Sequence, residues 1–293
     1  MKIGIQIPEI ERHVTWPELW AMARLIEDGG LDSVWVGDHL LYEQDGAWVG
    51  PWEAWSTMAA IAAVTERIEI GPLVAATPFH APTMLAKKAA TLDEISGGRF
   101  ILGLGAGWNR TEFEAFGFPY DHRVSRFAEA FTIIRTLLAE GEIDFRGQYY
   151  EATECKLRPL PHTRGGPPLM IGSVGPRMLA IALPFVDSWN AWFVQFDNDP
   201  EMARRLLEWV DEQAAKAGRA GDPVEKTLCV LFQYGDTPLR HNAKNGISGI
   251  ADQLRALDAF RDIGVAHLQL ILDPITIETI EETIDLVRTW QRG

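Results

Sequence analysis

Ser96-Gly97-Gly98-Arg99-Phe100-Ile101-Leu102-Gly103-Leu104-Gly105-Ala106-Gly107-Trp108-Asn109 reads as a turn, a buried strand and then a glycine-rich exit. Glycine at alternate positions strips one face of side chains just where the strand ends, so another backbone segment or a flat ligand can lie against it. The run is not the dinucleotide fingerprint, which needs a third glycine where Trp108 stands and an acidic residue about 20 positions on. Here the residues after Trp108 continue into a helix. The plainer reading of the same run is a tight strand-to-helix turn packed under a layer of side chains.

Outward from this stretch, short apolar runs alternate with helical ones. The strands expected are Lys2 to Ile7, Ser33 to Val36, Ile68 to Gly71, Arg99 to Gly103, Leu169 to Gly172, Ser188 to Ala191, Leu228 to Gln233 and His267 to Leu272. Between them lie stripes of helical period, such as Phe127, Phe131, Ile134 and Leu138, ended by Gly141. Similar stripes occupy Trp20 to Ile26, Ala54 to Ala62, Met84 to Leu92, Ala203 to Val210 and Ile277 to Val287. Such alternation predicts an α/β protein with a parallel sheet, and eight units close most naturally into a (β/α)8 TIM barrel. A doubly wound sheet is the competing architecture. The length of 293 residues suits one barrel domain over 1–293, with an insertion at about 142–168, between strands four and five, that carries a small hairpin.

Hydrophobic residues make up 47% and charged ones 23%, a globular balance. The net charge of −14 repels phosphate backbones and argues against a nucleic-acid partner, though not against a local basic pocket for one phosphate. Cys155 and Cys229 are too few and too far apart for a disulfide framework or a structural zinc site, so a reducing compartment is expected and no metal. No run approaches membrane-spanning length. The chain opens on the strand-like Lys2 to Ile7 without the marks of a secretory signal, and the cytoplasm is the expected location. Of the eleven tryptophans, Trp48, Trp52, Trp55 and Trp108 fall in or beside loops, where they either line an apolar pocket or cap the barrel.

A barrel of this kind carries its chemistry at the C-terminal ends of its strands. Those ends are polar or glycine-rich: Gln6, Asp38-His39, Gly71-Pro72-Leu73-Val74, Gly105 to Asn109, Gly172-Ser173, Trp189-Asn190 and Gln233. His39 is the histidine placed at the mouth, where it can donate or accept a proton with Asp38 orienting its ring. The alternative is structural, with Asp38 capping the following turn. His80 and His122 are weaker candidates, and His13, His162, His241 and His267 are read as surface or satisfied residues. Gly172-Ser173-Val174-Gly175-Pro176-Arg177 joins backbone N–H groups, a hydroxyl and a guanidinium at a helix start, which suits a single phosphate and equally describes a proline-initiated helix. Gly71 to Val74 reads as an irregular exit, or bulge, able to press backbone against a ring. There is no nucleophile elbow, zinc-protease motif, EF-hand loop or strand-end lysine. A site with few strong acids or bases, an aromatic lining and a phosphate anchor suits a protein in which a cofactor performs the reaction.

Gly30 to His39, Leu85 to Arg99, Gly103 to Asn109, Arg123 to Leu138, and Gly172 to Arg177 followed by Asp187-Ser188-Trp189-Asn190 resemble the bacterial luciferase-like monooxygenase superfamily over nearly the whole chain. Its members are barrels that bind FMN or the deazaflavin coenzyme F420. Asp38-His39, Leu73-Val74 and Leu268-Gln269-Leu270 look most like the F420-dependent branch. The resemblance implies that Leu73 and Val74 form a non-proline cis bulge behind the ring, and that Gly105, Ala106, Gly107 and Asn109 lie along the ring or ribityl chain. By the same resemblance Gly172, Ser173, Gly175, Pro176 and Arg177 hold the phosphate, and His39, with Asp38, faces the redox centre. Gln6, Tyr42, Trp48, Trp108 and Trp189 would then line the substrate pocket. The sugar-phosphate and alcohol dehydrogenases of that branch carry a tryptophan where Leu40 to Glu43 stand. The sugar-phosphate enzymes also place an acid at the position of Trp108, so neither substrate carries over; Tyr42, Trp48 or Glu112 are available to fill those places. The implied activity is hydride transfer between F420 and a small apolar molecule by a homodimer. The alternatives are an FMN-dependent monooxygenase fed by a separate reductase and using dioxygen, and a non-catalytic flavin- or deazaflavin-binding barrel.

Overall fold

The computed structural model describes residues 1–44, 46–235 and 243–293, which leaves His241 outside the described residues. Among the described residues, eight strands of four or more residues run in parallel: β1 (Lys2–Gln6), β2 (Ser33–Val36), β3 (Glu69–Pro72), β4 (Leu102–Gly105), β5 (Leu169–Gly172), β6 (Ser188–Ala191), β7 (Glu225–Gln233) and β8 (His267–Asp273). Their hydrogen-bonded order is β3-β2-β1-β8-β7-β6-β5-β4. The two ends meet where Ile70 bridges Phe100, with Ile101 N–H donating to Ile70 O at 2.9 Å. Each strand thus lies beside its sequence neighbours and β1 closes on β8, which is the barrel and not the doubly wound sheet. Parallel strands need long crossovers, and helices supply them: α1 (Trp16–Asp28), α2 (Ala54–Val64), α3 (Pro82–Ser96), α4 (Arg110–Phe116), α5 (Arg123–Glu140), α6 (Pro176–Ala182), α7 (Pro200–Lys216), α8 (Ile250–Asp262) and α9 (Ile277–Arg292). As expected, Gly141 ends α5, in a left-handed conformation at φ 77° that a side chain would disfavour.

Most strand ends fall within a few residues of the sequence reading, and β4 is displaced furthest as a whole. β4 begins at Leu102, not Arg99, because pairing with β3 is broken by a bulge. From Ile70 to Ala75 the chain takes five steps while its partner takes four, from Phe100 to Leu104. The two-residue strand Ala75–Ala76 then resumes the pairing with Leu104 and Gly105. Arg99 serves instead as a clamp below the seam, donating to the carbonyls of Ala62, Thr65 and Ile68 at 2.7–3.0 Å.

The barrel interior is polar where many barrels are aliphatic. Trp35 Nε1 donates to Ser33 Oγ at 2.7 Å, and the same hydroxyl lies 2.7 Å from His267 Nε2. One layer nearer the mouth, Asn190 Nδ2 donates to Thr227 Oγ1 and Gln269 Oε1, both at 2.9 Å, and the Cys229 thiol points to Asn190 Oδ1. Burial pushes the His267 pKa down to about 3, so this ring is a neutral, satisfied core residue.

Two antiparallel hairpins interrupt the alternation. Tyr42–Gln44 pairs with Ala47–Val49 after β2, and Glu142–Arg146 pairs with Glu151–Lys156 in the expected insertion. The tip of the second is tied to α5 by Glu129, whose carboxylate accepts from the N–H groups of Gln148, Tyr149 and Tyr150 at 2.8–3.0 Å. No helix among the described residues is long and apolar enough to cross a membrane.

Candidate active site

The end of β2 delivers Asp38 and His39, and they part company there. Asp38 is buried, and its Oδ2 accepts from Ala76 N–H at 2.9 Å and lies 3.0 Å from His80 Nε2. It therefore fixes the segment beyond the β3 bulge and does not orient His39. The group that orients His39 is Glu112, on α4: His39 Nδ1 lies 2.9 Å from Glu112 Oε1, and Oε2 accepts from Leu40 N–H at 2.5 Å. Glu112 is fully buried. Burial by itself would depress the His39 pKa. The hydrogen bond to Glu112 and the charges of Glu9, Glu112 and Asp38 outweigh it and hold the imidazole above its ordinary value. In sequence Glu112 stands only as one of three residues available for the places of the F420-dependent branch's missing groups; the packing of α4 turns it inward with Phe113.

The His39 ring sits in an aromatic cluster. Tyr42 is 4.9 Å away between centroids and Trp108 5.8 Å, with Tyr42 and Trp108 6.2 Å from each other. Burial and the negative charges of Glu9, Glu112 and Glu11 raise the Tyr42 pKa, keeping the phenol protonated. Trp108 is 61% exposed and walls the cluster on the solvent side. Trp48 stands on the first hairpin opposite Glu43, equally exposed. A cleft of about 140 Å³ opens between Ile7, Glu9, Val36, Gly37 and Trp52, at the ends of β1 and β2.

The Leu73–Val74 peptide bond is cis. Val74 then fills the space that glycines leave open: a Cβ on Gly103, Gly105 or Gly172 would come within 2.8–3.0 Å of its methyl groups. A Cβ on Gly107 would meet the Phe113 ring at 2.7 Å. The side-chain-free face of the opening motif is thus met by the protein's own side chains, as in its plainer reading. What remains available at Gly105, Ala106 and Gly107 is backbone. Arg123 Nη1 donates to Gly107 O at 2.7 Å, and Asn109 Nδ2 to Leu41 O at 3.0 Å, so Asn109 braces the β2 exit loop.

After β5, Ser173 Oγ accepts from Gly175 N–H at 3.1 Å, and Pro176 opens α6. Arg177 is exposed, with Nη2 donating to Ser125 Oγ at 2.8 Å across an open cleft lined by Tyr120 to Ser125. The insertion reaches this cleft, since Arg126 lies 4.6 Å over the Tyr149 ring and His122 is 5.8 Å from it. Trp189 is not a pocket residue. It is fully buried, and its Nε1 donates to Ser173 O at 2.7 Å, steadying the loop from below. Gln6 is buried at the mouth, where its Nε2 donates to Glu9 Oε1 at 2.8 Å. Its Oε1 and the Nε2 of Gln269 are buried polar atoms without a hydrogen-bond partner among the described residues.

Residues 3–264 match the luciferase-like monooxygenase family. The chain belongs to that family. It is 33% identical over 226 residues to a 5,10-methylenetetrahydromethanopterin reductase of Archaeoglobus fulgidus, covering 76% of this chain and 61% of the relative. With an F420-dependent glucose-6-phosphate dehydrogenase of Amycolatopsis mediterranei it shares 36% over 214 residues, covering 71% of this chain and 62% of that protein. The chain thus spans about three fifths of the length of these relatives. A pyrimidine monooxygenase RutA of a Bradyrhizobium species is 29% identical over 223 residues, 74% of this chain and 57% of that one. Among solved structures, an F420-dependent secondary alcohol dehydrogenase in complex with an F420-acetone adduct superposes with a TM-score of 0.80 at 20% identity, covering 97% of each chain. The likeness is one of fold.

Proposed function

We propose that this protein is an F420-dependent oxidoreductase that transfers a hydride between the deazaflavin and a small apolar organic substrate. The observation that carries the reading is His39, a basic group presented at the barrel mouth between aromatic walls and held from behind by a buried carboxylate. The two orphaned amide atoms fit such a cofactor: Gln6 Oε1 needs a donor and Gln269 Nε2 an acceptor, and the pyrimidinedione edge of a flavin or deazaflavin carries both kinds of group. Ser173, Arg177 and the Arg123 side of the cleft are the groups available for its phosphate.

When bound, the deazaflavin supplies a two-electron hydride centre; the protein supplies the rest. His39 gives or takes the proton that accompanies hydride movement, through Nε2, since Nδ1 is engaged by Glu112. Tyr42 and Trp108 keep water from the imidazole and offer an apolar wall to the substrate. Gln6, held by Glu9, keeps its carbonyl oxygen directed as an acceptor.

The similarity to pyrimidine monooxygenases supports a second reading, an FMN-dependent monooxygenase using reduced flavin and dioxygen. Parallel fluorescence titrations with F420 and with FMN separate the two. The first reading expects F420 to bind at least tenfold more tightly, and reduced F420 bound to the protein to survive air. Preference for FMN with rapid oxygen consumption overturns it.

A further inference from the structure

We propose that Glu112 is the positioning residue of His39, locking its proton on Nδ1 in both charge states so that Nε2 is the one ring atom through which the site exchanges protons. The inference rests on reading His39 as the proton-exchanging group, but its test needs neither cofactor nor substrate.

The argument starts from the two oxygens of Glu112. Oε2 accepts from Leu40 N–H and Oε1 faces His39 Nδ1 at 2.9 Å, and the whole residue is removed from water. Oε2 is already committed to a backbone donor, which leaves Oε1 as the acceptor that faces the ring. A carboxylate can only accept. An imidazole with its proton on Nε2 would turn the Nδ1 lone pair toward those oxygens, a repulsive contact in a low-dielectric site. The neutral ring therefore carries its proton on Nδ1, and the cation adds a second at Nε2.

The backbone bond has a further consequence. Leu40 directly follows His39, so Glu112 grips the imidazole and the adjoining backbone together and ties the β2 exit to α4. Helix α4 is itself anchored by the buried Phe113, which packs on Ala76 and Phe79. The other charged or titratable groups acting on the ring come from separate elements: Glu9 from the β1 exit, Asp38 from the same loop, and Tyr42 from the first hairpin. Each lends field or contact, but Glu112 makes the ring hydrogen bond. A tautomer fixed in this way is not produced by charge alone.

The experiment is nitrogen-15 NMR of the histidine side chains in the full-length protein, assigned with His39→Gln and followed across pH. In the wild type the neutral His39 ring shows a protonated Nδ1 and an unprotonated Nε2, with a midpoint above 6.5. Glu112→Gln keeps shape but lets the side chain donate, so the ring shifts toward the Nε2-protonated tautomer and the midpoint falls. Asp38→Asn leaves the tautomer unchanged. A wild-type ring protonated on Nε2, or a Glu112→Gln ring with unaltered tautomer and midpoint, overturns the assignment. Should Glu112→Gln fail to fold, the wild-type spectrum alone decides it. Loss of F420 binding with the tautomer intact would instead count against the proposed activity.

Discussion

Val74 occupies the space that a side chain at Gly105 would need: a Cβ there would sit 2.8 Å from Val74 Cγ2. The bulge and the glycine exit are thus two halves of one packed joint, the first short of regular pairing and the second short of side chains. Gly105→Ala is expected to destabilise the barrel by about 1–3 kcal/mol through overpacking. Val74→Ala removes the obstructing methyls, so Gly105→Ala should cost less in that background. Urea denaturation of the four proteins in the cycle measures the coupling, and additive losses would show that the two residues do not share the space.

Asp38 holds the far side of the same joint. Its bond to Ala76 N–H is buried and its contact with His80 partly so, and Asp38→Asn leaves one of those partners poorly satisfied. The expected loss is about 1–3 kcal/mol of stability, with the His39 tautomer unaffected. A variant of undiminished stability with an altered His39 titration would return Asp38 to the role that its place in the sequence implied.

The barrel was legible because strand and helix periods survive in a single sequence: the expected strands overlap the observed ones, and Gly141 ends its helix as read. The site was legible only where chemistry is carried by neighbours in the chain. Asp38-His39 reads as a pair, yet the backbone turn sends the two side chains to different elements, His80 and Ala76 for one and Glu112 for the other. That choice rests on contacts between residues 73 apart, which no local pattern records. The glycines of the opening motif correctly announced a close approach but not its occupant, since Val74 belongs to the bulge that follows β3. Trp189 misled for a related reason: alternation along β6 turns Asn190 into the barrel and Trp189 out of it, a matter of register and not of composition.

The buried His267 ties stability to pH in a definite direction. Its folded pKa is depressed to about 3 against an ordinary 6.5, so between those values the unfolded chain binds a proton that the folded one refuses. Stability contributed by this site is therefore complete above about pH 6.5 and falls as the pH drops toward 3, with a limiting slope of about 1.4 kcal/mol per unit. His267→Gln removes the titrating group while keeping a polar partner for Ser33. Its urea midpoint should fall less steeply between pH 6 and pH 4 than that of the wild type. Parallel curves would mean that His267 is protonated without penalty.

Arg177 offers the sharpest test of where an anionic cofactor is held. Its guanidinium is exposed at the start of α6 and steadied by Ser125, so it has little structural work to lose. Arg177→Ala is expected to leave the melting temperature of the ligand-free protein nearly unchanged, because a single exposed hydrogen bond contributes little. Affinity for F420 should fall by about 1.5–3 kcal/mol, the worth of one charge-assisted contact to a phosphate oxygen, and the salt dependence of binding should flatten as a charge is removed. Ser125→Ala leaves the guanidinium in place but frees it to move, and a smaller loss follows. Titration of the three proteins at two ionic strengths gives all of these quantities. If Arg177→Ala binds as tightly as the wild type at both, the phosphate lies elsewhere on the rim, and Arg123, reaching across to Gly107 O, is the next cation to replace.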